Sequence, residues 1–359
     1  MHDPPKRVNQ TESNVPPTSS SNKNLLLSPE GDAFQFPTDF NPHEHRPSNA
    51  AFYEERPETT IFSETSKEQD ERIRKASPYG HLKTWRLIKI IVKSNDDVRQ
   101  EQFAMQLISQ MDQIFKLKKL PLWLKPYEIL ATGQRCGLIE CVSDALSIDS
   151  IKKKLGQQAK LVDYFTRQFG EKSKTLKKAQ ENFCRSLAAY SLVCYVLQVK
   201  DRHNGNILVD IEGHIMHIDF GFLLSNAPGK GIKFEQAPFK LTGEMVEVLG
   251  GVKSRSFKEF RELMRLGFMA IQEHADKIIK IVEMMFMGLN DLPCFVLGED
   301  LIGALKDRIL PHKDRSSKQR RLMTELEATQ FIDGLIQESY DNWRTKAYDK
   351  FQLMCQGIQ

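Results

Sequence analysis

The stretch from Asp201 to Phe222 constrains the fold of this chain more than any other part of it. It contains two short runs of β-favouring residues, 207–209 and 215–218, which a turn-like segment separates. Two such runs predict a β-hairpin, in which Asn206 before the first strand and Asp219 after the second lie at the same end. The sequence therefore predicts an amide and a carboxylate close enough to share a metal ion.

These residue types are typical of phosphoryl transfer, in which the protein mainly positions the reactants and holds Mg²⁺ against the phosphates. Hard cations prefer oxygen ligands, which an Asn carbonyl and an Asp carboxylate supply. Asn206 and Asp219 are therefore the expected ligands of Mg²⁺, or of Mn²⁺ in its place. Asp201 precedes Asn206 by five residues, the spacing between the base and the metal-binding Asn in protein kinases. The order here is Asp-Arg-His, with the histidine after the aspartate.

Two residues compete for the role of proton acceptor. Asp201 occupies the protein-kinase position, whereas His203 has an ordinary pKa of about 6.5, which suits acceptance of a hydroxyl proton near neutral pH. We keep both, with Asp201 orienting the site and His203 favoured as the acceptor. The neighbouring His214 and His217 are expected to pack within the hairpin strands.

Composition indicates a soluble intracellular protein of about two domains or lobes. The 359 residues carry a formal charge of only +4, which gives no reason to expect a nucleic-acid partner. Six cysteines form no Cys-x-x-Cys pair, so neither a zinc site nor a disulfide scaffold is expected. No secretory signal follows the polar start, and the longest apolar stretch, 187–199, is too short to cross a bilayer. We interpret that stretch as a buried helix.

Several motifs together resemble the phosphatidylinositol 3- and 4-kinase superfamily, and within it the type III beta phosphatidylinositol 4-kinases. The resemblance covers about residues 70 to 357, and its motifs are very specific. They are Ser-Pro-Tyr-Gly-His-Leu at 77–82, Trp-Arg-Leu at 85–87, Asp-Asp at 96–97, Pro-Leu-Trp at 121–123, Lys-Pro-Tyr at 125–127, Gln-Val-Lys-Asp-Arg-His-Asn-Gly-Asn at 198–206 and His-Ile-Asp-Phe-Gly at 217–221.

The resemblance implies an α+β, bilobal protein-kinase-like fold, with a small β-rich N-lobe and a larger, mainly helical C-lobe. It implies a lipid kinase that transfers the γ-phosphoryl group of ATP to the 4-hydroxyl of phosphatidylinositol in membranes. The product would be phosphatidylinositol 4-phosphate. Three alternatives remain: a phosphatidylinositol 3-kinase, a related protein kinase, and an inactive interaction module or fragment that keeps the fold.

The chain divides into three predicted segments. Residues 1–65 are rich in Pro and Ser, with nine of the sixteen prolines before residue 58, and are expected to be largely disordered. Residues 66–141 would form the N-lobe and residues 142–359 the C-lobe. The resemblance implies a catalytic loop at 198–206 and an activation loop at 219–242.

The N-terminal part of the chain leaves two alternatives open. The aromatic triplets at 34–36 and 51–53 could dock on the kinase body as short strands instead of being disordered. The strand pair that opens the N-lobe in this family, and the helical domain before it, are not recognisable. Whether the N-lobe is complete, and whether the chain is a fragment of a longer product, therefore stays open.

The nucleotide site is predicted around a strand and the helix after it. The run 87–93 has the pattern of a buried central strand, and a lysine at its end, Lys93, needs an anion such as the phosphates of ATP. Glu101 lies on the inward face of the next predicted helix and needs a cation. The resemblance implies that Lys93 and Glu101 form an ion pair. The alternative is a solvated surface pair.

The adenine pocket is assigned by resemblance alone. It implies that the backbones of Glu140 and Val142 bind adenine and that Tyr127 lines the inner pocket. The alternative for Tyr127 is an ordinary core aromatic. Residues 77–84 would cover the phosphates, although Gly80 is the only glycine among them.

Substrate choice is expected from the segment after Asp-Phe-Gly. Its lysines, Lys230, Lys233 and Lys240, form a sparse basic set, whereas a loop that recognises phosphorylated inositol lipids would carry a denser one. The set therefore suits unphosphorylated phosphatidylinositol. The alternative is that these lysines are merely solvated.

The last predicted helix has an apolar stripe beside basic residues. Trp343, Ala347, Phe351 and Met354 recur at helical spacing, which suits either docking on an anionic membrane or packing against the protein. The protein is expected to be cytoplasmic and peripheral on intracellular membranes, with the Golgi suggested by resemblance. The sequence identifies no protein partner.

Overall fold

The computed structural model describes residues 61–156, 158–228, 237–314, 317 and 319–358. All of them belong to one structural unit, Pro57–Gln359. The expected disorder covers residues 1–65, of which residues 1–60 lie outside the described residues, as do the triplets 34–36 and 51–53 of the alternative. Ile61 and Phe62 pack against the core, ahead of the predicted boundary at residue 66.

Helices make up most of the described residues, and short strands form two small sheets. The α+β class is therefore confirmed. The strands are β1 (Ile90–Ser94), β2 (Ile129–Gly133), β3 (Cys136–Glu140), β4 (Ala145–Ser147), β5 (Ile207–Asp210) and β6 (Ile215–His217). The helices are α1 (Ser66–Ala76), α2 (Arg99–Leu117), α3 (Ile148–Leu155), α4 (Leu161–Phe169), α5 (Lys174–Leu197), α6 (Gly243–Val248), α7 (Arg255–Glu273), α8 (Ala275–Gly288), α9 (Asp300–Ile309), α10 (Glu325–Ser339) and α11 (Trp343–Gln356).

The first sheet is antiparallel, with the strand order β1-β3-β2. Ile129 of β2 lies opposite Ile139 of β3, and both side chains are buried. Strand β2 also contacts α2, whose buried face carries Phe103, Leu107 and Met111. The helix that was predicted to follow the first strand is therefore the support of this sheet.

Strand β1 lies at the edge of the first sheet, so the prediction of a buried central strand at 87–93 is wrong. Ile90, Ile91 and Val92 are all exposed, Val92 to 69%. The apolar pattern correctly indicated a strand, but such a pattern does not say what covers it. Within the described ranges no other strand pairs with the outer edge of β1.

The second sheet has the strand order β4-β5-β6 and contains the predicted hairpin. Ile207 of β5 lies opposite His217 of β6. The carboxylate of Asp210 closes the turn, because it accepts hydrogen bonds from the backbone N–H groups of Glu212 (2.9 Å) and His214 (2.8 Å). Gly213 has a φ of 90°, which glycine adopts without strain. The hairpin prediction is confirmed.

Helix α5 forms the centre of the helical part. It begins at the cap Ser173, whose side chain accepts a hydrogen bond from the N–H of Leu176, and almost every residue from Phe183 to Leu197 is buried. The prediction of a buried helix in this stretch is confirmed. In the described parts of the chain, no helix combines the length and apolar character that a membrane crossing needs.

A pair of glycine substitutions tests the packing of α7 on α5. A Cβ at Gly267 would lie 2.6 Å from a methyl carbon of Leu122 and from one of Leu192, whereas a Cβ at Gly334 meets no described atom within 4 Å. Alanine is favoured over glycine in a helix by about 1 kcal/mol, and overpacking costs about 1–3 kcal/mol. We expect Gly334→Ala to raise the free energy of unfolding by about 0.5–1 kcal/mol and Gly267→Ala to lower it by about 1–2 kcal/mol, as urea denaturation would measure. An equal gain in stability from both substitutions would contradict this packing.

Candidate active site

Asn206 and Asp219 meet at one end of the β5-β6 hairpin, as predicted. Asn206 closes a 3₁₀ turn, Asn204–Asn206, directly before β5, and its backbone carbonyl accepts a hydrogen bond from the N–H of Ile218 (3.1 Å). The Nδ2 group of Asn206 donates to the carbonyl of Asp201 (3.1 Å). The amide oxygen of Asn206 is therefore the atom with the chemistry to bind a metal ion. Asn206 and Asp219 both line one cavity of about 630 Å³.

The guanidinium of Arg202 joins the catalytic loop to the Asp-Phe-Gly turn. Arg202 is buried, and it donates to the carbonyls of Lys200 (3.0 Å), Ile218 (2.8 Å) and Asp219. Its charged group also lies over the ring of Phe220, 5.5 Å from the ring centre. These contacts fix the two chain segments that carry Asp201 and Asp219 relative to each other.

Asp201 and His203 lie beside each other in this loop. The Nε2 atom of His203 is 3.9 Å from Oδ1 of Asp201, which is too far for a hydrogen bond. The hydroxyl of Tyr348, on α11, donates to the same Oδ1 atom. Burial lowers the pKa of His203, although the charge of Asp201 acts in the opposite direction.

The hydrogen bonding of His203 bears on which residue accepts a proton. Its Nδ1 atom accepts a hydrogen bond from the N–H of Gly205 (3.1 Å), so Nδ1 carries no proton. A neutral His203 in this geometry has its proton on Nε2 and is a hydrogen-bond donor there. The lowered pKa favours that neutral form. In this conformation His203 is therefore a hydrogen-bond donor at Nε2, and the carboxylate of Asp201 supplies acceptor oxygens.

Lys93 pairs with Asp96, so the predicted ion pair with Glu101 is not formed. The Nζ atom of Lys93 lies 3.1 Å from Oδ2 of Asp96, and the Lys93 side chain is 38% exposed. Glu101 accepts a hydrogen bond from the N–H of Phe220 (3.2 Å) instead, and burial followed by the charge of Asp219 raises its pKa. Both Lys93 and Glu101 line the cavity. The exposed position of β1 lets Lys93 reach the nearest carboxylate along its own loop.

Gln100 is a site residue that the sequence reasoning missed. Its buried side chain donates to the carbonyls of Phe220 (2.9 Å) and Gly221 (2.7 Å) and accepts from the N–H of Cys294 (2.9 Å). Gln100 and Glu101 thus hold the Asp-Phe-Gly turn from α2. The position of Gln100 directly beside Glu101, at the start of a helix that faces the cavity, was the available signal.

The residues predicted for the adenine pocket also line the cavity. Tyr127 is 6% exposed, and burial raises the pKa of its phenol. The N–H of Glu140 donates to the carbonyl of Glu128 (2.9 Å), so that N–H is already engaged. In the described part of the chain, nothing accepts a hydrogen bond from the N–H of Val142. Glu140 and Val142 both line the cavity, together with Ile91, Ile139 and Cys141.

The lysines predicted for substrate recognition fall in different places. Lys230 and Lys233 lie outside the described residues. Lys240 is described and is buried, with its Nζ atom 2.6 Å from Oδ1 of Asp349 and 2.9 Å from Oδ1 of Asn204. A buried Lys240 does not fit the expected role of a solvent-accessible lysine that contacts the substrate. Lys240 connects the catalytic loop to α11.

The cavity lining therefore combines polar and apolar residues. Its volume lies within the roughly 300–1,000 Å³ that is typical of small-ligand sites. Asn206, Asp219 and Lys93 supply oxygen atoms and a positive charge. Tyr127, Ile139 and Val142 supply apolar surface, and the N–H of Val142 has no acceptor among the described residues. This arrangement suits a molecule with a flat apolar part and a charged part.

The chain matches a model of one protein family and several characterised proteins. The family description is "Phosphatidylinositol 3- and 4-kinase", and the match covers residues 87–295. The chain is 44% identical over 306 residues to the phosphatidylinositol 4-kinase of Dictyostelium discoideum, a match that covers 85% of this chain and 25% of that protein. It is 48% identical over 292 residues to phosphatidylinositol 4-kinase beta 1 of Arabidopsis thaliana, covering 80% of this chain and 25% of that protein.

A mammalian protein gives a similar result. The chain is 44% identical over 315 residues to phosphatidylinositol 4-kinase beta of Rattus norvegicus, covering 88% of this chain and 37% of that protein. The chain thus spans between a quarter and about two-fifths of the length of these relatives. The family match includes the hairpin, the catalytic loop and the cavity described above. The chain therefore belongs to the phosphatidylinositol 3- and 4-kinase family.

Proposed function

We propose that this chain is the catalytic part of a lipid kinase that transfers the γ-phosphoryl group of ATP to the 4-hydroxyl of phosphatidylinositol. The observation that carries the proposal is that one cavity is lined by Asn206, by Asp219 and by Val142, whose N–H has no acceptor among the described residues. The printed names of the relatives, all phosphatidylinositol 4-kinases, support the acceptor and the position. A phosphatidylinositol 3-kinase and an inactive module are less well supported, because the relatives are 4-kinases and both metal-binding positions are present.

ATP would lie in the cavity with its adenine beside Val142 and its phosphates beside Asn206 and Asp219. The N–H of Val142 is placed to donate to an adenine ring nitrogen, while Tyr127 and Ile139 provide apolar walls. Lys93 would exchange Asp96 for a phosphate oxygen when ATP binds. The exchange is plausible because their ion pair is solvated, and such pairs are worth only about 0–1 kcal/mol. Glu101 would keep the Asp-Phe-Gly turn in place during that exchange.

Asn206 and Asp219 would hold Mg²⁺, or Mn²⁺ in its place. In the described ranges no group of three or more His, Cys, Asp or Glu side chains is arranged to hold a metal ion. Two oxygen-bearing side chains at a cavity end fit Mg²⁺ all the same, because it usually takes one or two protein oxygens and completes its shell with phosphates and water. When bound, the ion would neutralise charge on the phosphates.

The hydrogen bonding favours Asp201 as the acceptor of the inositol hydroxyl proton. Asp201 has acceptor oxygens and contacts the cavity residue Asn206 through its carbonyl, while His203 presents Nε2–H in this conformation. His203 would then donate a hydrogen bond to the transferring group. A role for His203 as the acceptor would require the ring to give up its hydrogen bond from Gly205.

Membrane contact is proposed through the exposed side of α11. Trp343, Phe351 and Met354 are exposed, with Met354 at 80%, so the apolar stripe does not pack against the described body. Basic residues such as Arg344 and Lys350 lie beside it, which suits an anionic lipid surface. We propose that the protein acts in the cytoplasm, as a peripheral protein of intracellular membranes such as the Golgi.

The arrangement of the chain is proposed to be that of a bilobal kinase. The first sheet with α2 would be the core of the N-lobe, residues 66–141, and the helical part around α5 the core of the C-lobe, residues 142–359. The cavity is lined by residues of both ranges, as a nucleotide cleft between two lobes would be. Residues 219–242 would be the activation loop and would contact the lipid head group.

The position of the transferred phosphate is the direct test of the proposed function. The purified protein is incubated with labelled ATP, Mg²⁺ and phosphatidylinositol vesicles, and the labelled lipid is resolved by the position of its phosphate. We expect label only at the 4-position. Label at the 3-position would make the chain a 3-kinase, and no label from a folded protein would favour an inactive module.

The carboxylate of Asp219 can be removed with little change in shape. We expect Asp219→Asn to lower kcat at least about 10²-fold, because charge stabilisation at the transferring group is usually the largest contribution to such catalysis. Glu212→Gln, an identical chemical change at the exposed turn of the same hairpin, should leave kcat within about twofold. Phosphate transfer to phosphatidylinositol measures both. Substantial activity in a folded Asp219→Asn protein would remove this residue from the metal site.

The charge of Lys93 is expected to act on the nucleotide. Lys93→Met should raise the KM for ATP or lower kcat, so that kcat/KM falls about 10²-fold, since charge-assisted phosphate contacts are lost. Lys89→Met removes another lysine of the same sheet region, which pairs with Asp70 outside the cavity, and should change kcat/KM little. Steady-state kinetics at varied ATP would check both. Equal effects of the two substitutions would argue against a phosphate contact for Lys93.

A further inference from the structure

The last helix reaches the catalytic loop through polar side chains. Tyr348 and Gln352 are its buried residues, whereas its large apolar residues, Trp343, Phe351 and Met354, are exposed. The hydroxyl of Tyr348 donates to Oδ1 of Asp201, a residue 147 positions earlier in the sequence. A helix that only completed the core would bury its apolar residues, whereas α11 buries Tyr348 and Gln352.

The hydroxyl of Tyr348 is itself oriented. The Nε2 group of Gln352, one turn further along α11, donates to the Tyr348 oxygen (2.7 Å). The Tyr348 hydroxyl therefore accepts a hydrogen bond from Gln352 and donates one to the Asp201 carboxylate. Hydrogen bonds to an ionised acceptor are stronger than neutral ones, and a chain of them is mutually strengthening.

Residues of the catalytic loop contact Asp201 through its backbone. The carbonyl of Asp201 accepts from the N–H of His203 (3.1 Å) and from Nδ2 of Asn206 (3.1 Å). These contacts fix the Asp201 peptide, whose φ of 65° lies in the left-handed region. Tyr348 contacts the carboxylate itself. A helix outside the loop thus helps to orient Oδ1 of Asp201.

We propose that Tyr348 is a positioning residue for phosphoryl transfer, which orients the carboxylate of Asp201 while Gln352 orients the Tyr348 hydroxyl. The inference rests on the proposed function, because it assigns a task to Asp201 in that reaction. Tyr348 does not line the nucleotide cavity, so its effect falls on the transfer step and not on ATP binding. A second link from α11, the ion pair of Asp349 with Lys240, anchors the helix independently of this hydrogen bond.

The Tyr348→Phe substitution tests the proposal, because it removes the hydroxyl and keeps the ring. We expect kcat to fall about 10-fold or more with the KM for ATP unchanged within about twofold, the pattern of a contact used in the transition state. Tyr340→Phe is the matched control: the same chemical change on a 41%-exposed tyrosine just before α11 should leave both constants unchanged. Phosphatidylinositol phosphorylation and ATP hydrolysis without lipid are both measured, and melting temperatures verify folding.

Two further variants separate positioning from mere support of the helix. Gln352→Met keeps side-chain length but removes the donor to Tyr348, and a several-fold fall in kcat is expected. Adding Tyr348→Phe to Asp201→Asn should have little further effect, because the oriented carboxylate is already absent. If Tyr348 only anchored α11, its loss would lower the residual activity of Asp201→Asn as much as that of the wild type. Gln352→Met also keeps the proposal testable if Tyr348→Phe fails to fold.

The outcomes distinguish a failure of the role proposed for Tyr348 from a failure of the proposed function. A wild-type protein that phosphorylates phosphatidylinositol while Tyr348→Phe keeps full kcat overturns the inference and leaves the proposed function standing. A wild-type protein that hydrolyses ATP but leaves the lipid unlabelled overturns the proposed acceptor, and the hydrolysis rates of the variants then decide the role of Tyr348. A folded wild-type protein that transfers phosphate to neither lipid nor water overturns both.

Discussion

The buried guanidinium of Arg202 is the contact on which the geometry of the site depends. It donates to carbonyls on both sides of the site, Lys200 in the catalytic loop and Ile218 and Asp219 at the hairpin end. Leaving any of these carbonyls buried without a donor would cost about 1–3 kcal/mol. The Asp-Arg-His order therefore has a structural reason. The arginine joins the two loops, and the aspartate and histidine proposed to act on the transferring group lie on either side of it.

Local features of the fold could be predicted from the sequence because short-range rules determine them. The hairpin follows from two β-favouring runs and a turn that Asp210 and Gly213 can close, and Asn206 and Asp219 then meet at its end. The buried helix α5 follows from an apolar stretch too long for a strand. The contact between α2 and the cavity follows from the helical spacing of its apolar face. Each of these conclusions needs only residues close together in the sequence.

Contacts between distant segments could not be predicted in this way. The surroundings of β1 depend on which segments cover its outer face, and no strand of the described ranges does so. Lys93 pairs with the nearby Asp96, and Glu101 accepts a hydrogen bond from the N–H of Phe220. The burial of Lys240 requires Asp349 to come back to the catalytic loop, and Tyr348, which contacts the carboxylate of Asp201, is likewise on α11. Neither hydrophobic periodicity nor a short motif indicates that a distant segment such as α11 contacts this loop. The amphipathic pattern of α11 gave two alternatives, and the polar residues between its apolar ones decided its buried face.

The backbone angles of the two aspartates have a consequence for how this fold changes over time. Asp201 and Asp219 both lie in the left-handed region, with φ of 65° and 61°. Glycine adopts that region freely, whereas a residue with a Cβ pays on the order of 1 kcal/mol there. Their carboxylates also accept hydrogen bonds, Asp201 from the hydroxyl of Tyr348 and Asp219 from the N–H of Gly221 (3.2 Å), which offset part of this cost. In a lineage that lost the proposed activity, the chemical constraint on the two carboxylates would be gone, so glycine or asparagine at these positions would mark a site that is no longer in use.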